Sequence, residues 1–188
     1  MPEVLSYQQV ETVLRAKSLR CLYFNSGSWG FTEQAGAVGW LLGDDPTLTP
    51  AARKIARVVG PVDQLVAAVL EACHRVGGEI WILPGSHWAY ELDFGTPTML
   101  DVLRRADVVG VDGLVGRNDG SAVRFLATEQ SQLAGVLREL FSTGTTSDYQ
   151  LILPEMPVLA ILHHHVQVWW QAKDMEFCQW ATGRGKGL

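Results

Sequence analysis

Residues 158–170, VLAILHHHVQVWW, constrain this chain more than any other stretch. They read as one extended strand running from 158 to 169 or 170. Its alternation is weak, with apolar residues on both parities. A strand that is apolar on both sides is covered on both sides or lies at an interface. Helices elsewhere in the chain can cover one face of its sheet. The other face must close on itself, on further helices, or on a second copy, which is the sequence's argument for self-association.

The rest of the chain supplies both helices and hairpins. Residues 6–18 predict a helix with Ser6 as N-cap and Val10, Val13 and Leu14 on one side. Residues 21–24 and 37–42 predict short strands, with turn chemistry in NSGSWG between them. Residues 44–61 break the rhythm with GDDPTLTP, and a short helix over 51–59 follows Pro50. Residues 62–76 carry the clearest apolar stripe, formed by Leu65, Val66, Val69, Leu70 and Cys73, and Gly77-Gly78 ends it. Residues 79–83 and 87–94 predict a hairpin about Pro84-Gly85. A helix over 98–106 precedes two further strands, 107–115 and 121–127, joined by GRNDG. Thr128 caps a helix whose buried face is Leu133, Val136, Leu137, Leu140 and Phe141. A strand at 149–153, the long strand, and a helix over 171–180 complete the order.

Helix, strand, strand thus recurs four times, and a Val-Leu-charged triplet marks each helix, at Val13, Val69, Val102 and Val136. The order reads either as a duplicated unit or as ordinary alternation of elements. Either way it predicts an α+β fold with an antiparallel sheet of six to eight strands, built from hairpins and flanked by helices. One domain is expected over 1–181, with 182–188 as a flexible basic tail.

Composition narrows the function classes. With 47% apolar and 19% charged residues the chain is globular rather than disordered. Its net charge of −5, with no basic run beyond Arg104-Arg105, argues against a nucleic-acid partner. No apolar run is long enough for a membrane span, so no membrane partner is expected. Arg predominates over Lys, and Ala, Gly, Val and Leu abound, as in GC-rich bacterial coding. Cys21, Cys73 and Cys178 form no CxxC pair, which disfavours a thiolate zinc site and fits buried thiols in a reducing compartment. The acidic, interrupted first residues are unlike a signal peptide, so a cytoplasmic location is expected.

The histidine run is the most conspicuous candidate for chemistry. On a strand, His163 and His165 share one face and His164 takes the other. A His-x-His pair can hold one metal ion, and a catalytic zinc site typically has three protein ligands. His87 and Glu91 share a face of the 87–94 strand, and either supplies a third. The plainer alternative is a set of hydrogen-bonded imidazoles beside a core, since no HExxH motif accompanies them. Glu91 and Asp93 also share a strand face and form a carboxylate pair, or simply a solvated edge. Seven tryptophans fill a core or line an aromatic pocket with Tyr23, Tyr90 and the histidines. His87, Trp88, Tyr90 and Glu91 are therefore the candidate ligand-binding residues, and His163 and His165 the candidate metal ligands. The glycines of NSGSWG have no helix behind them to cradle phosphate. No G-x-S-x-G elbow or EF-hand spacing occurs, and no cofactor is identified.

Two functions follow as expectations. The first is a non-enzymatic binding or accessory protein that acts on a protein partner, or on its own copies as a homodimer, through a Trp-rich surface. The second is a small metal-dependent enzyme or small-molecule-binding protein with a His/Glu-lined pocket.

Overall fold

The computed structural model describes residues 1–16, 19–23, 29–33, 56–142, 147–156, 158–172 and 174–185. The expected strand at 37–42, Trp40 and residues 44–55 lie outside the described residues. Strands β1 (Glu3–Leu5), β4 (Ala56–Val59), β5 (Glu79–Pro84), β6 (Ala122–Leu126), β7 (Tyr149–Leu153), β8 (Val158–His163) and β9 (Gln167–Ala172) form a seven-stranded sheet in the order β1-β6-β5-β7-β8-β9-β4. Every strand pair in it is antiparallel. A separate hairpin joins β2 (Leu19–Tyr23) to β3 (Trp29–Glu33). The α+β class and the antiparallel sheet agree with the sequence.

Helix α1 (Tyr7–Ala16) begins at a capping box. The Gln9 amide donates to Ser6 Oγ while Gln9 Oε1 accepts from the Ser6 amide at 2.8 Å. Helices α2 (Val62–Val76) and α5 (Gln130–Ser142) pack together and bury the stripes their periodicity predicts. Gly77, at φ 77°, ends α2 in the left-handed region that glycine enters without penalty. Helix α6 (Met175–Gly185) sets Phe177 and Trp180 against Trp170, with ring centroids at 5.4 and 5.8 Å. Glu71 on α2 fixes that helix, accepting from Trp180 Nε1 at 2.9 Å and pairing with Arg184. Among the described residues no helix is long and apolar enough to cross a membrane.

Several local expectations are corrected. The strand over 87–94 is helical: α3 (Trp88–Tyr90) runs into a π-turn, Glu91–Gly95. Residues 107–115 are not a strand but turns around a 3-10 segment, Val111–Leu114, with Asp107 and Gly110 both at positive φ. The helix expected over 51–59 gives way to β4, whose Ala56 and Val58 face inward in alternation. Gln171 and Ala172 belong to β9, and α6 extends over residues expected in the tail. Helix α4 (Met99–Arg105) follows the predicted 98–106 closely. Helix–strand–strand order therefore does not recur four times.

The largest correction concerns the long strand. It is a hairpin, β8 and β9 joined across residues 164–166, with His163 paired to Gln167. Apolar residues of both parities are explained by burial on both faces, since every residue of β7 and β8 is buried within the single chain. The uncovered face from which self-association was expected is covered by the chain itself.

Candidate functional site

Sheet register brings the candidate residues to one end of the sheet. Pro84 at the end of β5 pairs with Tyr149 at the start of β7, and Tyr149 pairs with Leu162 near the end of β8. The segment after β5, the residues before β7 and the β8–β9 turn are therefore neighbours. Asp148 ties them together. Its carbonyl accepts from the Gly85 amide at 2.7 Å, and its carboxylate Oδ1 accepts from the His164 amide at 2.9 Å and from His164 Nδ1 at 2.8 Å.

The turn gathers all three imidazoles, whose ligand atoms lie within 4.8 Å of one another. This differs from the strand geometry, which puts His164 on the far side from His163 and His165. The turn also holds Val166 at φ 58°, a left-handed conformation that is an outlier for a β-branched residue. Strain of this kind concentrates at functional sites. The three rings differ in readiness. A carboxylate only accepts, so His164 carries its proton on Nδ1 and leaves the Nε2 lone pair available. His163 is 9% exposed and stacked between His164 and Trp169, at 4.2 and 4.1 Å. Its Nδ1 accepts from the His165 amide at 3.1 Å, so this nitrogen must exchange a proton donor for an ion in order to ligate. His165 is exposed.

The other predicted residues form a second, enclosed cluster. His87 caps α3, its Nδ1 accepting from the Tyr90 amide at 3.1 Å. Trp88 is fully buried, and its indole N–H donates to the Ser121 carbonyl at 2.7 Å. Glu91 and Asp93 do not share a face: helical winding buries Glu91 and leaves Asp93 exposed. Glu91 is only 1% exposed. Its Oε1 accepts from Ser86 Oγ at 2.5 Å, and its Oε2 is fully enclosed. Thr96 Oγ1 and Tyr149 Oη are likewise buried, and both face this carboxyl. Burial pushes the Glu91 carboxyl above the ordinary range, against the opposing pull of the Ser86, Ser147 and Thr96 hydroxyls. Burial likewise raises the Tyr149 phenol, and the neighbouring Glu91 adds to the shift.

Glu91 thus does not serve as a third ligand beside the imidazoles. The residues that complete each cluster, Asp148, Ser86, Ser147 and Thr96, carry no motif. The one available signal is that Ser147-Asp148 stands immediately before a strongly apolar strand. The tryptophans mostly answer to the core: Trp81, Trp88 and Trp170 are fully buried, and Trp169 and Trp180 are partly so. Compared with family models, curated proteins and solved structures, the chain matches none.

Proposed function

We propose that this is a transition-metal-binding protein whose β8–β9 turn supplies three imidazole ligands. The observation that carries the reading is the hydrogen bond from His164 Nδ1 to Asp148. A carboxylate partner on the far nitrogen is the usual way in which a protein fixes the tautomer and raises the basicity of a metal-ligating histidine. Imidazole donors suit zinc, copper and nickel. Tetrahedral zinc with nitrogen ligands near 2.05 Å sets its donors about 3.3 Å apart. The imidazoles therefore need to close by about 1.5 Å, within reach of χ rotation for the exposed His165. Three protein ligands leave a fourth position at the solvent-facing side of the turn, as in zinc centres that bind a water or a substrate. The protein-partner reading draws less support, because the fully buried tryptophans are unavailable to a partner.

Titration of untagged full-length protein with Zn2+ and Ni2+ by calorimetry tests this. One ion per chain is expected. His164→Ala should abolish tight binding, and Asp148→Asn should weaken it by about 10–100-fold. Binding that is substoichiometric, or unchanged in His164→Ala, would overturn the proposal.

A further inference from the structure

Segment 86–96 inverts the usual rule of burial. It hides a carboxylic acid while exposing Phe94 at 74% and Tyr90 at 46%. No cation is paired with Glu91 among the described residues, although an ionised carboxylate inside a protein needs such a partner. The groups around it are hydroxyls: Ser86 before α3, Thr96 after the π-turn, Ser147 before β7 and Tyr149 at its start. The titratable groups that face it are Tyr149 from β7 and His87 from the turn before α3. Space is closed as well, since a Cβ on Gly95 would lie 2.6 Å from Ser147 Oγ and closer still to the carboxyl. The π-turn itself closes through the Thr96 amide on the Glu91 carbonyl at 2.6 Å, and π-turns are frequent at functional sites.

We propose that Glu91 is a proton-operated latch: as a neutral acid it fastens segment 86–96 to the start of β7, and its ionisation releases that segment. The neutral carboxyl accepts from the surrounding hydroxyls and donates its own O–H to one of them. The ionised form is a full charge in an enclosed site with no salt-bridge partner among the described residues, and it must recover water. Ser147 and Tyr149 flank Asp148 in the chain, so release loosens the residue that holds His164. The control of the metal site rests on the function proposed above; the latch itself does not.

Because the native state holds the proton more tightly, stability is fully present below the ordinary carboxyl range. It falls as pH rises toward the native value. One proton held in the native state alone changes the unfolding equilibrium tenfold per pH unit. The experiment uses the full chain with three readouts. Infrared difference spectra of wild type against Glu91→Gln, recorded across pH, should show a protonated carboxyl band, absent from the variant, that persists above the ordinary carboxyl range. Urea unfolding should give wild type a downward pH slope that the variant lacks. Amide exchange over 86–96, corrected for intrinsic rates, should accelerate with pH more than in β7 and β8; it needs only wild type and serves if the variant does not fold. An acid band that vanishes within the ordinary carboxyl range, or uniform exchange, would overturn the latch. Nickel affinity completes the test: wild type should weaken through the transition while Glu91→Gln holds, against the normal strengthening as imidazoles lose protons. A chain that binds no nickel but shows the band and the slope keeps the latch and removes only its control of a metal.

Discussion

Gly95→Ala is the most direct test of whether the Glu91 chamber is packed as described. A methyl group there would stand 2.2 Å from Glu91 Oε2, 2.8 Å from Glu91 Cδ and 2.6 Å from Ser147 Oγ. All three distances are below any that real Cβ atoms adopt, so the carboxyl must turn away. Overpacking of this kind costs about 1–3 kcal/mol. Turning the carboxyl also breaks the Ser86 hydrogen bond, which contributes about 1 kcal/mol. Against this, replacing glycine stabilises by about 0.4–1 kcal/mol through the unfolded chain. The balance is a loss of about 2 kcal/mol, or about 4–8 °C in Tm for a chain of this size. Urea unfolding at pH 6 reads it as a lower midpoint at unchanged slope. Gly135→Ala is the internal control. Gly135 sits exposed within α5 with nothing within 4 Å of its Cβ position, and the substitution should stabilise by about 0.5–1 kcal/mol. If Gly95→Ala proved as stable as wild type, the carboxyl would have room to move. The enclosed acid would then be no constraint on the π-turn.

Other substitutions probe the frame around the two clusters. Trp88→Phe strands the Ser121 carbonyl in the core and leaves a small void, so chemical unfolding should show a loss of about 2–3 kcal/mol. Glu71→Gln should cost about 1 kcal/mol at neutral pH, because Arg184, Trp180 and Arg75 converge on a partly exposed carboxylate. The hydrogen bond from Arg184 leads in lowering that carboxyl, so its contribution is present above the ordinary carboxyl range and lost as pH falls through the lowered value. Unfolding curves of variant and wild type should therefore converge in acid. The Cys73 thiol is buried and pushed up to about 12. In a Cys21→Ser, Cys178→Ser background it should resist a thiol reagent at pH 8 until urea unfolds the chain; prompt labelling would contradict its burial.

Legibility tracked how redundantly each element is encoded. Helices α2 and α5 are legible because each repeats its apolar stripe over several turns, and Gly77 stops α2 where only a left-handed residue fits. Ser6 is legible as a cap, and the structure adds Gln9 as its reciprocal partner. Segment 87–94 misleads because Trp88, Tyr90, Leu92 and Phe94 alternate as a strand would, yet burial picks out Trp88 and Glu91. The break in the histidine strand is illegible for a related reason: a β-branched residue, Val166, takes the left-handed turn position where glycine or asparagine would announce a hairpin. The place of Asp148 before an apolar strand is visible in the sequence, but its pairing with His164 is not, since that partner lies across a ladder whose register only the fold sets.

These failures share a location. The buried acid with exposed aromatics, the π-turn, and the strained valine all gather at the end of the sheet where β5, β7 and β8 meet. In α2 and α5, by contrast, local propensity and global fold agree, as they do in sequences with a single well-separated native state. Conflict between levels costs stability wherever it occurs, so the gathering of three such conflicts at one rim calls for a local cause. A merely loose rim would let Val166 relax and admit water to Glu91. Instead the imidazoles are stacked, Asp148 is doubly bonded to His164, and Glu91 is sealed by Ser86 and Gly95. Order held against local preference is what residues placed for chemistry require, and it supports the proposed roles of the imidazole turn and of the acid behind it.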